Sequence, residues 1–99
     1  MAMYARVTTV QIAPDKVDEA IRIYQESVIP AAQQQQGYRS TLLVTDRASG
    51  KGMAITVWES LDALNASEAS GYYQQQIAKF GPLLTAAPVR EAYEVTAMA

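Results

Sequence analysis

The stretch 38–59, YRSTLLVTDRASGKGMAITVWE, decides the fold. It holds two strand-like runs joined by a turn that contains Gly50 and Gly52, each able to supply positive φ. On the first run Tyr38, Leu42 and Val44 are expected on one face, with Thr41 and Leu43 on the other. On the second, Met53, Ile55 and Val57 oppose Ala54, Thr56 and Trp58. A hairpin with one solvated face alternates apolar with polar residues, whereas this one is apolar on both. Both faces must therefore be covered.

The flanking sequence supplies cover for one of them. Tyr4 to Ile12, rich in β-branched and aromatic residues, reads as a first strand. Pro14 ends it, and Asp15 is placed to cap a helix whose stripe is Val17, Ala20, Ile21, Tyr24 and Val28. Pro30 should kink or end that helix, with a further turn over residues 31–36 and a cap at Gly37. After the hairpin, Ser60 caps a second helix that starts at Leu61 and breaks at Gly71. Tyr73, Ile77, Phe80 and Leu84 resume helical spacing. A last strand runs from Val89 to Val95, with Val89, Glu91, Tyr93 and Val95 sharing a face. Gln33 to Gln36 and Gln74 to Gln76 lie on helices and read as solvated faces.

The order strand, helix, strand, strand, helix, strand closes with right-handed crossovers into one α+β domain over residues 1–99. It is a ferredoxin-like βαββαβ four-stranded antiparallel sheet with both helices on one face. The other face is left bare. Burial of one Leu- or Ile-sized side chain is worth roughly 1.5–3 kcal/mol, so half a dozen left in water would forfeit about 10 kcal/mol. The expected partner is a second copy, packed face to face as a homodimer, with an apolar pocket expected in the core between the two sheets.

Composition narrows the chemistry. The chain has 99 residues, 49% hydrophobic and 18% charged, with a formal charge of −2. Its basic residues are scattered, so neither nucleic acid nor an anionic membrane is an expected partner. No stretch is long and apolar enough to span a bilayer, and Met1 to Tyr4 shows no basic region leading into an apolar run. The cytoplasm is the expected location. Cysteine and histidine are both absent. That excludes disulfides, thiolate nucleophiles, thiolate or histidine metal sites and a histidine-bound haem iron. No metal and no other cofactor is expected.

The segment Val57-Trp58-Glu59-Ser60-Leu61-Asp62-Ala63-Leu64 resembles the signature of the antibiotic biosynthesis monooxygenase family. The run from Val28 to Ala32, followed by Gly37, Tyr38 and Arg39, and the turn Asp46-Arg47 with Gly50-Lys51, fit the same pattern. The similarity extends from Tyr4 to Val95. It implies a dimeric α+β barrel and an activity among cofactor-free oxygenation of quinol- or anthrone-like polyketides, haem degradation, or no known reaction. The haem-degrading branch needs an iron-binding histidine, which this chain lacks. The remaining implication is a substrate anion that gives an electron to oxygen inside a dry, shaped pocket.

Five residues are candidates for that pocket. Trp58, near a strand end, is either a core or interface side chain or a wall that stacks on a planar substrate. Asn65, one residue past Leu64, is either solvated or an amide donor to the reaction intermediate. Tyr72 and Tyr73 are adjacent and point apart. Spacing assigns Tyr73 to the core and frees Tyr72 as a proton carrier or hydrogen-bond donor. Tyr24 lies on the buried stripe of the first helix, as core or substrate contact. Arg39 either binds a substrate carboxylate or phenolate or pairs with Glu59 or Glu91. Arg6 and Arg90 pose the same question more weakly. Two functions fit: an oxygenase of small aromatics, or a non-catalytic module of the same barrel that binds a small ligand.

Overall fold

A run of β-branched residues, Val7 to Val10, gives β1 (Tyr4–Gln11), one of the two inner strands of a four-stranded sheet. The computed structural model describes residues 2–99; Met1, part of the N-terminal stretch read above, lies outside them. The hairpin folds as β2 (Tyr38–Thr45) and β3 (Lys51–Trp58), and the last strand as β4 (Val89–Glu94). The sheet order is β2-β3-β1-β4 with every pair antiparallel, the ferredoxin-like arrangement.

The first helical layer is less regular than its stripe predicts. Pro14–Lys16 forms a 3₁₀ turn, so Asp15 lies before α1 (Val17–Ile23) and its side chain caps nothing. A π-helical stretch, Tyr24–Val28, then leads into α2 (Ile29–Gln33). Pro30 sits in the first turn of α2, where its missing N–H costs least. Its ring would press on the carbonyl four residues back, Glu26, and the wider π turn spans that residue. The helix therefore continues past the proline.

Two glycines place the remaining elements. Gly50 has φ 81°, and a Cβ there would sit 1.9 Å from the Ile12 carbonyl oxygen, so the turn closes only on glycine. Gly52, expected to share that role, is ordinary extended strand. Beyond the hairpin, Ser60 accepts from the Ala63 N–H at 3.1 Å and caps α3 (Leu61–Ala69). Gly71, at φ 87°, breaks the helix and restarts it as α4 (Tyr72–Ala78).

The register fixes the two faces. Thr41 reaches Tyr24 on the helical layer, so Leu42 and Val44 point the other way, opposite Ile55 and Met53. Val7, Val89 and Tyr93 join them on that side. Leu42 is 46% exposed, Val44 43%, Val89 57% and Tyr93 51%. Tyr38 does not share this face. A register shift between Tyr38 and Ser40 turns it to the helical side, where it meets Trp58 edge to face.

On the helical side the core is split. Ile12, Val17, Ala20 and Leu83 form a cluster at one end, and Ala32, Trp58, Leu64 and Tyr72 a second at the other. Between them the sheet presents Arg6, Thr8, Thr41 and Thr56. The middle of the protein is polar.

Candidate functional site

Among the described residues Arg6 is the only buried charged side chain, at 5% exposure, and it lies on the inner strand β1 facing the helices. A buried charge is costly unless hydrogen-bonded and paired. Arg6 Nη1 donates to Ser67 Oγ at 2.7 Å, and Ser67 Oγ in turn donates to the Leu64 carbonyl at 2.6 Å. The Glu68 carboxylate lies 3.5 Å from the same nitrogen. The guanidinium also stands 4.3 Å from the Tyr73 ring centre and 5.5 Å from that of Trp58. Burial pulls its pKa below the usual arginine value, with Glu68 opposing.

Around this cation the helices leave a small, partly open cavity of about 50 Å³. Its floor is Arg6, Thr8, Ala54 and Thr56; its walls include Tyr24, Val28 and Ala32; its roof is Tyr72, Tyr73, Gln76, Ile77 and Phe80. An adjoining apolar lobe of about 30 Å³ runs toward Val10, Ile12 and Leu43. This space lies between sheet and helices, on the face opposite the one where a pocket between two sheets is expected from the sequence.

Hydroxyl groups fix the walls. The Tyr24 hydroxyl bonds to Thr41 Oγ1, which bonds to Thr56 Oγ1 at 2.9 Å. The Tyr73 hydroxyl bonds to Thr8 Oγ1 at 3.0 Å. Gln76 Oε1 accepts from Lys79 Nζ at 2.7 Å. Burial raises the Tyr24 pKa, and that of Tyr72 to about 12, so both phenols keep their protons at neutral pH.

Of the five residues singled out in the sequence, Tyr24 and Tyr72 line the cavity together. Trp58 is fully buried behind it, edge to face with Tyr72 at 6.4 Å; its Nε1 has no hydrogen-bond partner among the described residues. Arg39 is exposed and pairs with Glu59 at 3.5 Å, and Asn65 is exposed on α3; neither lines the cavity. Tyr72 is the more buried of the adjacent tyrosines, while Tyr73 is half-buried, the reverse of the assignment made from spacing. Gln76, read as solvated with Gln74 and Gln75, is buried and reaches the cavity. Thr8 and Thr56 were not singled out. The signal for this floor was a charge, Arg6, on the same strand face as Thr8 and Val10.

Among the described residues no cluster of three or more carboxylates is placed to hold a metal ion. No helix among them is long and apolar enough to cross a membrane.

The family profile for antibiotic biosynthesis monooxygenases matches residues 3–79. The chain belongs to that family. Rv2558, an uncharacterized protein of Mycobacterium tuberculosis, is 40% identical over 65 residues, 66% of this chain and 28% of its own length. Rv2557 from the same organism is 30% identical over 100 residues, 97% of this chain and 42% of its own. The chain therefore spans less than half the length of these relatives. Among solved structures, Rv0793 of M. tuberculosis superposes with a TM-score of 0.74 at 23% identity, covering 98% of both chains. A mutant of SnoaB, a cofactor-independent oxygenase from Streptomyces nogalater, gives 0.73 at 15% identity, over 97% of this chain and 95% of its own. At these identities the structures establish the shared fold.

The raised Tyr72 pKa means that the native state holds this proton more tightly than the unfolded chain does. Stability from this group is complete below pH 10.0 and is lost as pH rises toward about 12. Urea denaturation across that window should show a steeper fall for wild type than for Tyr72→Phe. Parallel curves would contradict the buried position of this phenol.

Proposed function

We propose that this family member oxygenates a small planar aromatic of quinol or anthrone type in the helix-side cavity, without metal or flavin. The observation that carries the reading is the buried Arg6 guanidinium at the floor of a small, largely apolar cavity between the sheet and the helices. A fixed cation in a water-poor site stabilises a phenolate or enolate more than water does. It therefore favours ionisation of a weakly acidic substrate, whose proton passes to solvent.

The resulting anion is electron-rich enough to reduce oxygen. For an anthrone-type methylene the balance is R₂CH₂ + O₂ → R₂C=O + H₂O. Two C–H bonds are replaced by one C=O bond, and the second oxygen atom leaves as water. All four electrons come from the substrate, so no external reductant is needed. In this scheme Arg6 holds the developing oxyanion. Tyr72, protonated at neutral pH, faces the same space as a donor to a peroxide oxygen. Trp58 positions Arg6 and Tyr72 from behind, and Tyr24 is held by Thr41 as a wall.

One observation favours a second reading, a module that binds a small ligand without turnover. Glu68, the carboxylate paired with Arg6, is also engaged by Arg90 at 3.4 Å, so no free base stands over the ligand. Oxygen-electrode measurements with anthrone and with a hydroquinone separate the two. The oxygenase consumes oxygen faster than buffer. Arg6→Met should lower the rate at least tenfold, Tyr72→Phe should lower it with the fold retained, and Arg39→Met should leave it unchanged. Thermal stabilisation by these compounds with no added oxygen uptake would establish the binding module instead.

We also propose that a second copy covers the open sheet face. Leu42, Val44, Ile55, Val7 and Val89 on one protomer form an apolar surface, with Thr9 and Glu91 at its β4 side, that no element among the described residues covers. Sedimentation velocity at about ten micromolar should show a dimer that Leu42→Asp converts to a folded monomer. A monomeric wild type would refute it.

A further inference from the structure

The helix-side cavity is too small for an aromatic ring. A space of about 150 Å³ accommodates one benzene ring, whereas the cavity measures about 50 Å³ with a lobe of about 30 Å³. Beside it, between α4 and β4, lies an open groove of about 660 Å³. Tyr73 and Ile77 line both spaces, so these two side chains are all that the cavity and the groove share. The Tyr73 hydroxyl makes one hydrogen bond, to Thr8, and its ring lies between the Arg6 and Arg90 guanidiniums, so an outward turn of the ring would give up these contacts to water.

The charges at this boundary do not balance. Arg6 stands 4.3 Å from the Tyr73 ring centre and Arg90 stands 5.6 Å from it. Both guanidiniums turn to one carboxylate, Glu68, at 3.5 and 3.4 Å. Among the described residues no other carboxylate pairs with either. Two positive charges face one negative charge, with Arg6 buried inside and Arg90 half-exposed in the groove. One further anion satisfies the set.

We propose that the groove is the outer half of a single elongated site, that Tyr73 and Ile77 form the partition, and that the ligand is an aromatic acid. Its ring passes the partition toward Arg6 and its carboxylate or similar anion stays on Arg90. This rests on the helix-side cavity being the ligand site, and it names the class of compound that the cavity receives. It does not depend on turnover. Tyr73 is then the residue that sets ligand length, and Arg90 the residue that selects for charge.

Equilibrium dialysis with two probes of matched ring system tests it: anilinonaphthalene sulfonate, which is anionic, and phenylnaphthylamine, which is not. Wild type should bind the anionic probe roughly fivefold more tightly, as expected for one part-exposed charge pair. Arg90→Gln should remove that preference by weakening the anionic probe alone. Ala78→Trp, which fills the groove from an exposed position on α4, should weaken both. Equal affinities in wild type, an unchanged preference in Arg90→Gln, or unchanged binding in Ala78→Trp would each overturn the proposal. Oxygen uptake is not read, so a failure of the oxygenase reading leaves this result standing, and the converse holds.

Discussion

A single desolvated guanidinium organises the helical side of this protein. Arg6 lies on the inner strand β1, where burial costs several kcal/mol unless the charge is bound on all sides. Its partners come from three elements: Ser67 and Glu68 from α3, Tyr73 from α4, and Trp58 from β3. Each contact holds its element at a distance set by a planar cation rather than by interdigitated aliphatic chains. The apolar core is therefore parted into two clusters, and the space between them is the cavity. Replacing the cation by an aliphatic residue would let the layers close, at the cost of the site.

The other face of the sheet obeys a simpler rule. Most of its side chains are aliphatic or aromatic, with Thr9 and Glu91 among them, and it carries no buried charge, so it asks mainly for a second apolar surface. A partner there and a ligand in the helix-side cavity would draw on different side chains, while the groove beside the cavity shares Val89 with the open face. The sheet separates the two tasks, and β1 and β3 supply side chains to both in strict alternation.

Much of this was legible in the chain. The hairpin with two apolar faces led to the sheet, Ser60 and Gly71 marked the ends of α3 and the start of α4, and the resemblance to the monooxygenase family agreed with the fold. The misses have physical causes. Alternation alone put Tyr38 beside Leu42, because a bulge after Tyr38 reverses the face without leaving a mark in composition. The left-handed Gly71 resets the helical phase, so spacing counted toward Phe80 exchanged the burial of Tyr72 and Tyr73. Gln76 looked solvated because it ends a run of glutamines, two of which are. Arg6 was legible only as a weaker candidate to bind a substrate anion or pair with a carboxylate, because nothing in the strand pattern shows that the helices bury it. Arg39 and Asn65 drew notice as polar groups near conspicuous landmarks, and both face water.

In the proposed site Arg6 is the group that meets the ligand. The direct measurement is the guanidinium Nε–H resonance of Arg6 in isotope-labelled protein, followed as a hydroquinone is added in the absence of oxygen. A saturable shift of Arg6, with the Arg39 signal unmoved, is the predicted result. A shift confined to Arg39, or to residues of the open sheet face, with Arg6 unperturbed at saturation, would contradict it.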